Sequence, residues 1–321
     1  MAALGNKVLV LGASGGIGSE VARQLRDSGW QVQALKRGLA MAAQQRDGIQ
    51  WLRGDALERD DVLRAARGCS VIVHAVNPPG YRHWAEQVLP MIDNTIAAAR
   101  VENATIVLPG TVYNYGPDAF AALDEQAAQH PLTRKGRIRV ELEQRLQAAA
   151  QQGVRAIVLR AGDFFGPQTG SSWFSQGMIK PGRAVRVVNL PGDPGIGHQW
   201  AYLPDVARTM IELLARRQTL APFAAFHMAG HWDADGTQMA AAITRVVERT
   251  GGQVKLRRFP WWLVGLVSPL VSTFREMLEM RYLWRKPLRM NNAHLLNVLG
   301  TEPHTPLEQA VEATLKGLRC L

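Results

Sequence analysis

Three glycines near the start of the chain have a spacing that could bind a phosphate group. Gly12, Gly15 and Gly18 form a GxxGxxG pattern in KVLVLGASGGIGSEVARQL, directly after an apolar, valine-rich stretch. Gly12 would allow a tight turn, Gly15 would let a pyrophosphate approach the backbone, and Gly18 would let a helix pack closely on the preceding strand. The N–H groups at the start of that helix would face the anion. In this context the pattern predicts a dinucleotide site rather than a glycine-rich turn without a ligand.

Two cations follow the next predicted strand. The strand at 31–35 is followed by Lys36 and Arg37, where a carboxylate would bind the ribose hydroxyls of NAD. Cations suit the 2′-phosphate of NADP, so the sequence favours NADP(H), with NAD(H) as the alternative; the two side chains could also be solvated surface cations. Asp55, just after the third predicted strand, would contact the adenine or cap the start of a helix.

Alternating strands and helices are predicted to position these residues. Apolar runs that suit strands occur at 7–11, 31–35, 49–55, 70–76, 104–110 and 155–160. Patterns of helical period occur at 60–67, 84–100, 137–150, 204–216, 237–249, 261–280 and 306–318. The alternation predicts an α/β fold, a Rossmann-type doubly wound parallel sheet, over 1–162. A smaller, mixed C-terminal substrate lobe is expected over 163–321, interleaved with the sheet edge.

Composition limits the class of protein. The chain has 321 residues, of which 47% are apolar and 20% charged, as in a soluble globular protein, and its formal net charge of +10 favours anionic ligands. Cys69 and Cys320 lie in no CxxC pair, so neither a metal site nor a disulfide is expected and a reducing compartment fits. No signal peptide is visible, which predicts a cytoplasmic location. The apolar run at 259–271 is too short to span a bilayer and predicts a buried helix, with an interfacial helix as the alternative.

Further motifs fall in the order found in one known superfamily. They are Asp55, VIVHAV at 71–76, Asn94, VYNYGP at 112–117, LRAGDFFGP at 159–167 and WAYLPDVA at 200–207. With the glycine motif, they make nearly the whole chain resemble the short-chain dehydrogenase/reductase superfamily, in its extended, epimerase/dehydratase-like branch. The resemblance implies a nicotinamide cofactor, a small-molecule substrate, and a monomer or a homodimer formed through the helices after strands four and five.

The resemblance also implies a catalytic Ser or Thr and a Tyr–Lys pair spaced YxxxK on the helix after strand five. The Tyr would move a proton, while the Lys would lower its pKa and hold the ribose. Thr111 falls at the Ser position. The family's Lys is usually followed four residues on by Glu, as Arg137 is followed by Glu141, so this register puts Thr133 in place of the Tyr and Arg137 in place of the Lys. Arg137 could bind a ribose or phosphate, but its pKa is too high for proton transfer.

Other side chains could replace the missing proton donor. Tyr113 or Tyr115 could serve, although Tyr115 is better explained as a packing residue. Asp163, His198 and Tyr202 lie in segments that form the family's substrate cleft, and a lone histidine such as His198 is more often structural. The YxxxK match formed by residues 282 and 286 is rejected because it lies far from strand five and Pro287 stops the helix.

The predicted site therefore has two groups of residues and no metal ligand. The catalytic candidates are Thr111, Tyr113, Arg137 and Asp163. The cofactor contacts are Gly12, Ser14, Gly15, Gly16, Ile17, Gly18, Arg37, Asp55, Ala75, Asn77 and Arg137, with the NPP run at 77–79 bordering the nicotinamide. The sequence predicts an NAD(P)-dependent oxidoreductase or epimerase/dehydratase-like protein of atypical mechanism; the alternative is a catalytically silent NADP(H)-binding sensor or scaffold. No membrane partner is expected, and no nucleic-acid partner because no helix-turn-helix or aromatic-basic sheet pattern is present.

Overall fold

Eight strands form a central sheet in the computed structural model, which describes residues 6–78, 84–120, 123–170 and 172–321, without the side chains of 272 and 273. The strands are β1 (Lys7–Leu11), β2 (Gln31–Lys36), β3 (Ala43–Arg46), β4 (Ile49–Arg53), β5 (Val71–His74), β6 (Thr105–Thr111), β7 (Ala156–Ala161) and β11 (Phe223–His227). Their order is β11-β7-β6-β5-β1-β2-β4-β3. Every pair is parallel except β3 with β4, so the predicted Rossmann-type parallel sheet is confirmed.

Helices cover both faces of this sheet. The helices are α1 (Gly16–Asp27), α2 (Arg59–Ala66), α3 (Trp84–Glu102), α4 (Arg134–Gln151), α5 (Leu203–Ala215), α6 (Gln238–Arg249), α7 (Trp261–Val267), α8 (Ser272–Glu279), α9 (Ala293–Leu299) and α10 (Leu307–Gly317). Successive residues of a strand point to opposite faces. Accordingly, Val8 and Val10 pack in the layer of α1 and α5, and Leu9 and Leu11 in the layer of α2, α3 and α4. The sheet is therefore doubly wound.

The second half of the chain builds two smaller sheets and one more core. β8 (Asp163–Phe165), β10 (His198–Tyr202) and β12 (His231–Asp233) form a three-stranded sheet, and β9 (Val187–Leu190) pairs with β13 (Lys255–Arg258). A third core joins Phe165, Phe174 and Trp200 to the buried faces of α6 and α10. Since β11 also comes from this half and joins the main sheet, the two halves interleave; the division at residue 162 stays a prediction.

Two predicted helices differ from the structure by more than two residues in their bounds. α4 begins at Arg134 rather than at 137, because Thr133 caps its N-terminus. The region 261–280 contains two helices instead of one, since Pro269 has no N–H to continue the first. The expected burial of that first helix is wrong for its outer face, where Trp262 and Leu266 are exposed. The elements that were not predicted are the exposed polar edge strand β3, the strands β8 to β13 of the second half, and α9.

Candidate active site

The glycine loop lies where the backbone comes too close to its neighbour for a side chain. Gly12 follows β1 with a φ of +86°, and a Cβ atom there would lie 2.4 Å from the carbonyl oxygen of Ala75. Ala75 follows β5, and its N–H donates to the carbonyl oxygen of Leu11 at 2.9 Å. Position 12 therefore requires glycine, because the loop turns against the end of the adjacent strand.

The start of α1 is shaped to accept an anion. The N–H of Gly15 donates to the carbonyl oxygen of Gly12 at 2.9 Å, and a Cβ atom at Gly18 would lie only 2.2 Å from the same oxygen. Gly15 is the N-cap residue of α1, and within the described residues no side chain caps this helix start. Its first N–H groups are therefore placed to bind a pyrophosphate in the way the glycine spacing requires.

Opposite charges meet where β2 and β4 end. Nη1 of Arg37 lies 3.7 Å from Oδ2 of Asp55, and the Arg37 side chain is 62% exposed. The Asp55 carboxylate also accepts a hydrogen bond from the N–H of Leu57 at 3.0 Å. The alternative that Asp55 caps the next helix is wrong, because Glu58 is the N-cap residue of α2. Asp55 instead forms the preceding turn and faces Arg37.

One cleft of about 770 Å³ follows the carboxyl ends of the parallel strands. The predicted site residues that line it are Gly12, Ser14, Gly15, Gly16, Ile17, Arg37, Asp55, Ala75, Asn77, Thr111, Tyr113 and Asp163. Gly18 does not line the cleft because it packs behind the loop against Gly12. Arg137 does not line it either. The structure thus brings together the two ends of the predicted site, with Gly18 and Arg137 as the two residues that do not line the cleft.

The first turns of α4 present two cations to the cleft, and Arg137 is not one of them. Arg137 is exposed, whereas Lys135 and Arg139 are buried and line the cleft. Thr133 is buried as the N-cap residue, and its hydroxyl accepts from the N–H of Gly136 at 2.9 Å. The structure therefore places Arg137 outside the cleft and puts Arg139, two positions later, in its lining, so the predicted contact of Arg137 with a cofactor has no support from its position. Lys135 and Arg139 keep the spacing of four that Thr133 and Arg137 were expected to fill.

A buried ion pair behind α4 explains this register. Glu143 on α4 and Arg160 on β7 are both buried, with Nη2 of Arg160 2.6 Å from Oε2 of Glu143. Arg160 also donates from Nη1 to the hydroxyl of Tyr115 at 2.6 Å. Residues four apart lie on the same side of a helix. Once Glu143 faces the sheet, Arg139 and Lys135 follow it along the same side.

Lys135 lies in a buried ion pair that joins the two halves of the chain. Its Nζ atom is 2.6 Å from Oε2 of Glu276 on α8. Burial lowers the pKa of Lys135, and the hydrogen bond and charge of Glu276 offset part of that change. A lysine whose pKa lies below its ordinary range can exchange a proton more readily near neutral pH. Lys135 therefore has the chemistry of a proton donor, which an arginine lacks.

Arg139 is held in a fixed orientation where it lines the cleft. Its Nη2 atom donates to Oδ1 of Asn77 at 2.8 Å. Its guanidinium carbon lies 5.1 Å from the centre of the Trp84 ring. Asn77 and Pro78 line the cleft, while Pro79 lies outside the described residues. Arg139 thus offers a permanent positive charge and hydrogen-bond donors beside the loop that follows β5.

Thr111 and Tyr113 lie beside each other at the end of β6. The Thr111 hydroxyl accepts from the N–H of Tyr113 at 3.3 Å and donates to Oδ1 of Asn114 at 3.4 Å. Tyr115, by contrast, is fully buried, and its hydroxyl lies 2.8 Å from Nε2 of His227. Burial raises the pKa of Tyr115. Tyr115 is therefore a packing residue, as expected, and it does not line the cleft, whereas Thr111 and Tyr113 do.

Asp163 lines the cleft with a histidine behind it. Oδ2 of Asp163 is 2.8 Å from Nε2 of His198, and both side chains are buried. The His198 ring stacks on Trp284 with 3.7 Å between ring centroids and 6° between planes. His198 and Tyr202 do not line the cleft, and burial raises the pKa of Tyr202 to about 12. The geometry suits His198 to orienting Asp163 rather than to contacting a ligand.

The YxxxK match in the second half lies outside the cleft. Neither Tyr282 nor Lys286 lines it, and the Tyr282 hydroxyl donates to the backbone carbonyl of Tyr115 at 3.5 Å. Three residues that do line it, Lys135, Arg139 and Glu276, were missed from the sequence. A signal existed for Lys135, because Arg139 is followed by Glu143 with the same spacing that was used for Arg137.

The described residues contain neither a membrane span nor a metal cluster. None of their helices is both long and apolar enough to cross a bilayer. They include no group of three or more His, Cys, Asp or Glu side chains that could hold a metal ion. Cys69 and Cys320 are buried free thiols, and burial raises the pKa of Cys69 to about 11, which disfavours the reactive thiolate.

The doubly wound sheet and its glycine-lined cleft define a dinucleotide-binding protein of the Rossmann type. The model of the NAD dependent epimerase/dehydratase family matches residues 8–229. The chain therefore belongs to this family, and the resemblance drawn from its motifs is confirmed. None of the curated proteins compared with the chain matches it.

Several solved epimerases share this fold. UDP-glucose 4-epimerase from Thermotoga maritima, solved with UDP-glucose, is 16% identical with a TM-score of 0.72, and the match covers 98% of each chain. UDP-glucose 4-epimerase from Bifidobacterium longum, solved with NAD+ and UDP, is 12% identical with a TM-score of 0.71 and the same coverage. UDP-N-acetylglucosamine 4-epimerase from Bacillus cereus is 14% identical with a TM-score of 0.70, covering 98% of this chain and 97% of that one. At these identities the likeness establishes the fold alone.

Proposed function

We propose that this protein binds NADP(H) and acts as an oxidoreductase or epimerase in which Lys135 and Arg139 stand in place of the family's Tyr and Lys. One observation carries the proposal. The glycine loop lines one end of the cleft, and Lys135, Arg139 and Thr111 line the other. A single cleft thus joins an anion-binding helix start to a buried amine of lowered pKa.

The preference for NADP(H) is supported by the cations after β2. Lys36 and Arg37 both line the cleft, and the Nζ atom of Lys36 lies 5.6 Å from the centre of the Trp51 ring. Arg37 reaches Asp55 but keeps most of its side chain exposed, so it can also bind a phosphate. A charge-assisted hydrogen bond to a phosphate is worth roughly 1.5–3 kcal/mol. NAD(H), which was solved with the Bifidobacterium longum enzyme, is the alternative cofactor.

Each residue around the reacting end has a distinct role in this proposal. When bound, the nicotinamide cofactor supplies or takes up a hydride. Arg139, oriented by Asn77 and Trp84, holds the cofactor's ribose. Lys135 gives a proton to the substrate oxygen and takes it back in the reverse direction. Thr111 donates a hydrogen bond to that oxygen and stabilises its developing negative charge.

Sugar nucleotides are the first substrate class to test. The enzyme from Thermotoga maritima was solved with UDP-glucose. A volume of about 770 Å³ lies within the usual range of small-molecule sites, roughly 300–1,000 Å³. The net charge of +10 also favours an anionic substrate. We therefore place UDP-sugars ahead of simple ketones and aldehydes.

The competing proposal is a silent NADP(H)-binding sensor or scaffold. One contact favours it: Lys135 is already paired with Glu276 at 2.6 Å. If this ion pair persists with cofactor and substrate bound and fixes the amine on Glu276, Lys135 cannot direct an N–H group at the substrate. An enzyme requires Lys135 to turn an N–H group toward the substrate oxygen during turnover, whereas a sensor does not.

Direct binding and product measurements test these proposals. We expect NADPH, titrated by its fluorescence, to bind about ten-fold to a hundred-fold more tightly than NADH. A panel of UDP-sugars, UDP-uronic acids and carbonyl compounds would then be followed by NADPH absorbance and by NMR of the sugar products, because epimerisation leaves no net change in the cofactor. A converted substrate would support the enzyme. Tight NADPH binding with no conversion would support the sensor, and failure to bind either dinucleotide would contradict both.

A further inference from the structure

The outer side of α7 and the turn that follows it carry a row of exposed apolar side chains. Trp262, Leu266 and Leu270 are 74%, 70% and 87% exposed and are spaced four residues apart. We call these three residues the α7 ridge. Leu263 and Val271 beside it are also exposed. The outer side of a surface helix normally carries polar residues, and a cluster of exposed large apolar side chains usually marks a binding surface.

The inner side of α7 is anchored, so the ridge has a fixed orientation. Trp261 donates from its indole nitrogen to the carbonyl oxygen of Pro191 at 2.8 Å. Its ring packs against Trp173 with 5.6 Å between centroids, and Val264 is buried. The helix is therefore apolar on both sides: its inner side packs against aromatic and aliphatic residues, and its outer side exposes apolar side chains.

A cationic strand precedes the ridge. Lys255, Arg257 and Arg258 lie on β13, where every residue is exposed. None of the ion pairs between described residues involves these three cations. The sequence from 255 to 275 contains no Asp or Glu. Exposed Trp and Leu side chains next to unpaired cations are the combination that binds the interface of an anionic bilayer.

Charge decides between a membrane and a second copy of the chain. A two-fold dimer brings the same surface of both subunits together, so the cations of β13 would meet their own copies. Such an arrangement repels, while phosphate headgroups attract the same cations. We propose that the α7 ridge and β13 dock the protein on an anionic membrane surface. This inference goes beyond the proposed function and revises the expectation of no membrane partner, in favour of the interfacial alternative.

Vesicle binding tests the proposal. The full-length protein would be sedimented with vesicles of phosphatidylcholine alone and with vesicles that also contain phosphatidylglycerol. We expect binding to the anionic vesicles, weakening as salt rises. Leu266→Asp should weaken this binding at least about ten-fold. The variant loses a leucine that would be buried in the bilayer interface and gains a negative charge that anionic headgroups repel. Val101→Asp, at an exposed apolar position on α3, is the matched control and should bind as the wild type does.

The cations have their own variant and control. Arg257→Gln with Arg258→Gln should weaken binding to anionic vesicles by roughly five-fold for each charge removed. Arg59→Gln with Arg67→Gln removes two exposed cations elsewhere and should change binding much less. NADPH affinity, measured on the same samples, should stay unchanged in all these variants, which keeps this test separate from that of the proposed function.

Three results would overturn the proposal. The first is no binding of the wild type to anionic vesicles. The second is binding that Leu266→Asp leaves unchanged while NADPH affinity shows the variant to be folded. The third is a concentration-dependent dimer, seen by analytical ultracentrifugation, that Leu266→Asp disperses, because a second copy would then cover the ridge.

Discussion

The two ends of the cleft differ in what forms them: backbone at one end and side chains at the other. At the glycine end the backbone forms the site: Gly12 and Gly18 are required by contacts of 2.4 and 2.2 Å that any Cβ would make. At the other end side chains form it, with Lys135 from α4 meeting Glu276 from α8. The first end is local in sequence, while the second depends on how two distant helices pack.

This difference would let the chain keep a family's cofactor end while its chemistry changes, as we propose. A backbone site tolerates few substitutions, because a side chain at Gly12 or Gly18 would displace the loop itself. A site made of side chains could exchange a Tyr–Lys pair for Lys135 and Arg139 without moving α4. The buried Glu143–Arg160 pair keeps the helix in place independently of those two residues. Substitutions at the two ends should therefore separate binding from turnover.

Removing the Lys135 amine should have the largest effect on turnover. For Lys135→Met we expect kcat to fall by about 10²–10⁴, the usual contribution of general acid–base catalysis. The NADPH dissociation constant should change little, because the proposed ribose contact belongs to Arg139. Arg137→Met is the matched control: it removes an exposed cation two residues away and should leave kcat unchanged. Steady-state kinetics would check both, and the reverse outcome would restore the register first expected from the sequence.

A negative charge in the glycine loop should weaken NADPH binding, whereas the Lys135 variant should lower turnover. Gly15→Asp puts a carboxylate at the helix start that would face the pyrophosphate, and we expect NADPH affinity to fall by about a hundred-fold or more. A Cβ atom at this position meets only the carbonyl oxygen of Gly12, at 3.4 Å, so the fold should tolerate it. Gly15→Asn has the same size without the charge. If fluorescence titrations gave equal affinities for the Asp and Asn variants, the pyrophosphate would not lie at this loop.

The same difference set the limits of sequence-based prediction. The glycine spacing, the alternation of strands and helices and the six strands β1, β2, β4, β5, β6 and β7 follow from local patterns, and the structure contains all of them. The register of α4 did not follow, because both Arg137–Glu141 and Arg139–Glu143 fit the pattern of a cation with Glu four residues later. The burial of Ile138, Leu142 and Leu146 sets the inner side of the helix, and the buried pair of Glu143 with Arg160 fixes the same register.

Residues that act through tertiary packing gave no signal at all. Glu276 lies 141 positions after Lys135 in a segment expected to be one long helix, and only the break between α7 and α8 turns it toward α4. β3, with the sequence AQQR, has an exposed polar pattern and is a strand only because it pairs with β4. Such features need the fold as input.

Arg37, directly after β2, should affect the preference for NADPH over NADH and should leave the affinity for NADH nearly unchanged. For Arg37→Ala we expect NADPH to bind about ten-fold to a hundred-fold more weakly, because one charge-assisted contact to the 2′-phosphate is lost. NADH binding should change little. Adding Lys36→Ala to the Arg37→Ala variant would report how much the neighbouring cation contributes to NADPH affinity. Equal affinities of the wild-type protein for NADPH and NADH would contradict the assignment of Arg37.

Removing the Glu276 side of the ion pair with Lys135 should have the smallest effect on the rate, and that effect should appear in its pH dependence. Glu276 raises the pKa of Lys135 against the lowering effect of burial, so Glu276→Gln should lower that pKa further. Carbonyl reduction needs the protonated amine, and its rate falls as pH rises through the pKa. The alkaline limb of the rate profile should therefore move to lower pH, while the maximal rate stays within about a factor of ten. Glu279 also raises the pKa of Lys135, but without a direct hydrogen bond, so Glu279→Gln should give a smaller shift in the same direction. A profile that stays in place in Glu276→Gln, with NADPH affinity intact, would show that Lys135 is not the group that moves the proton.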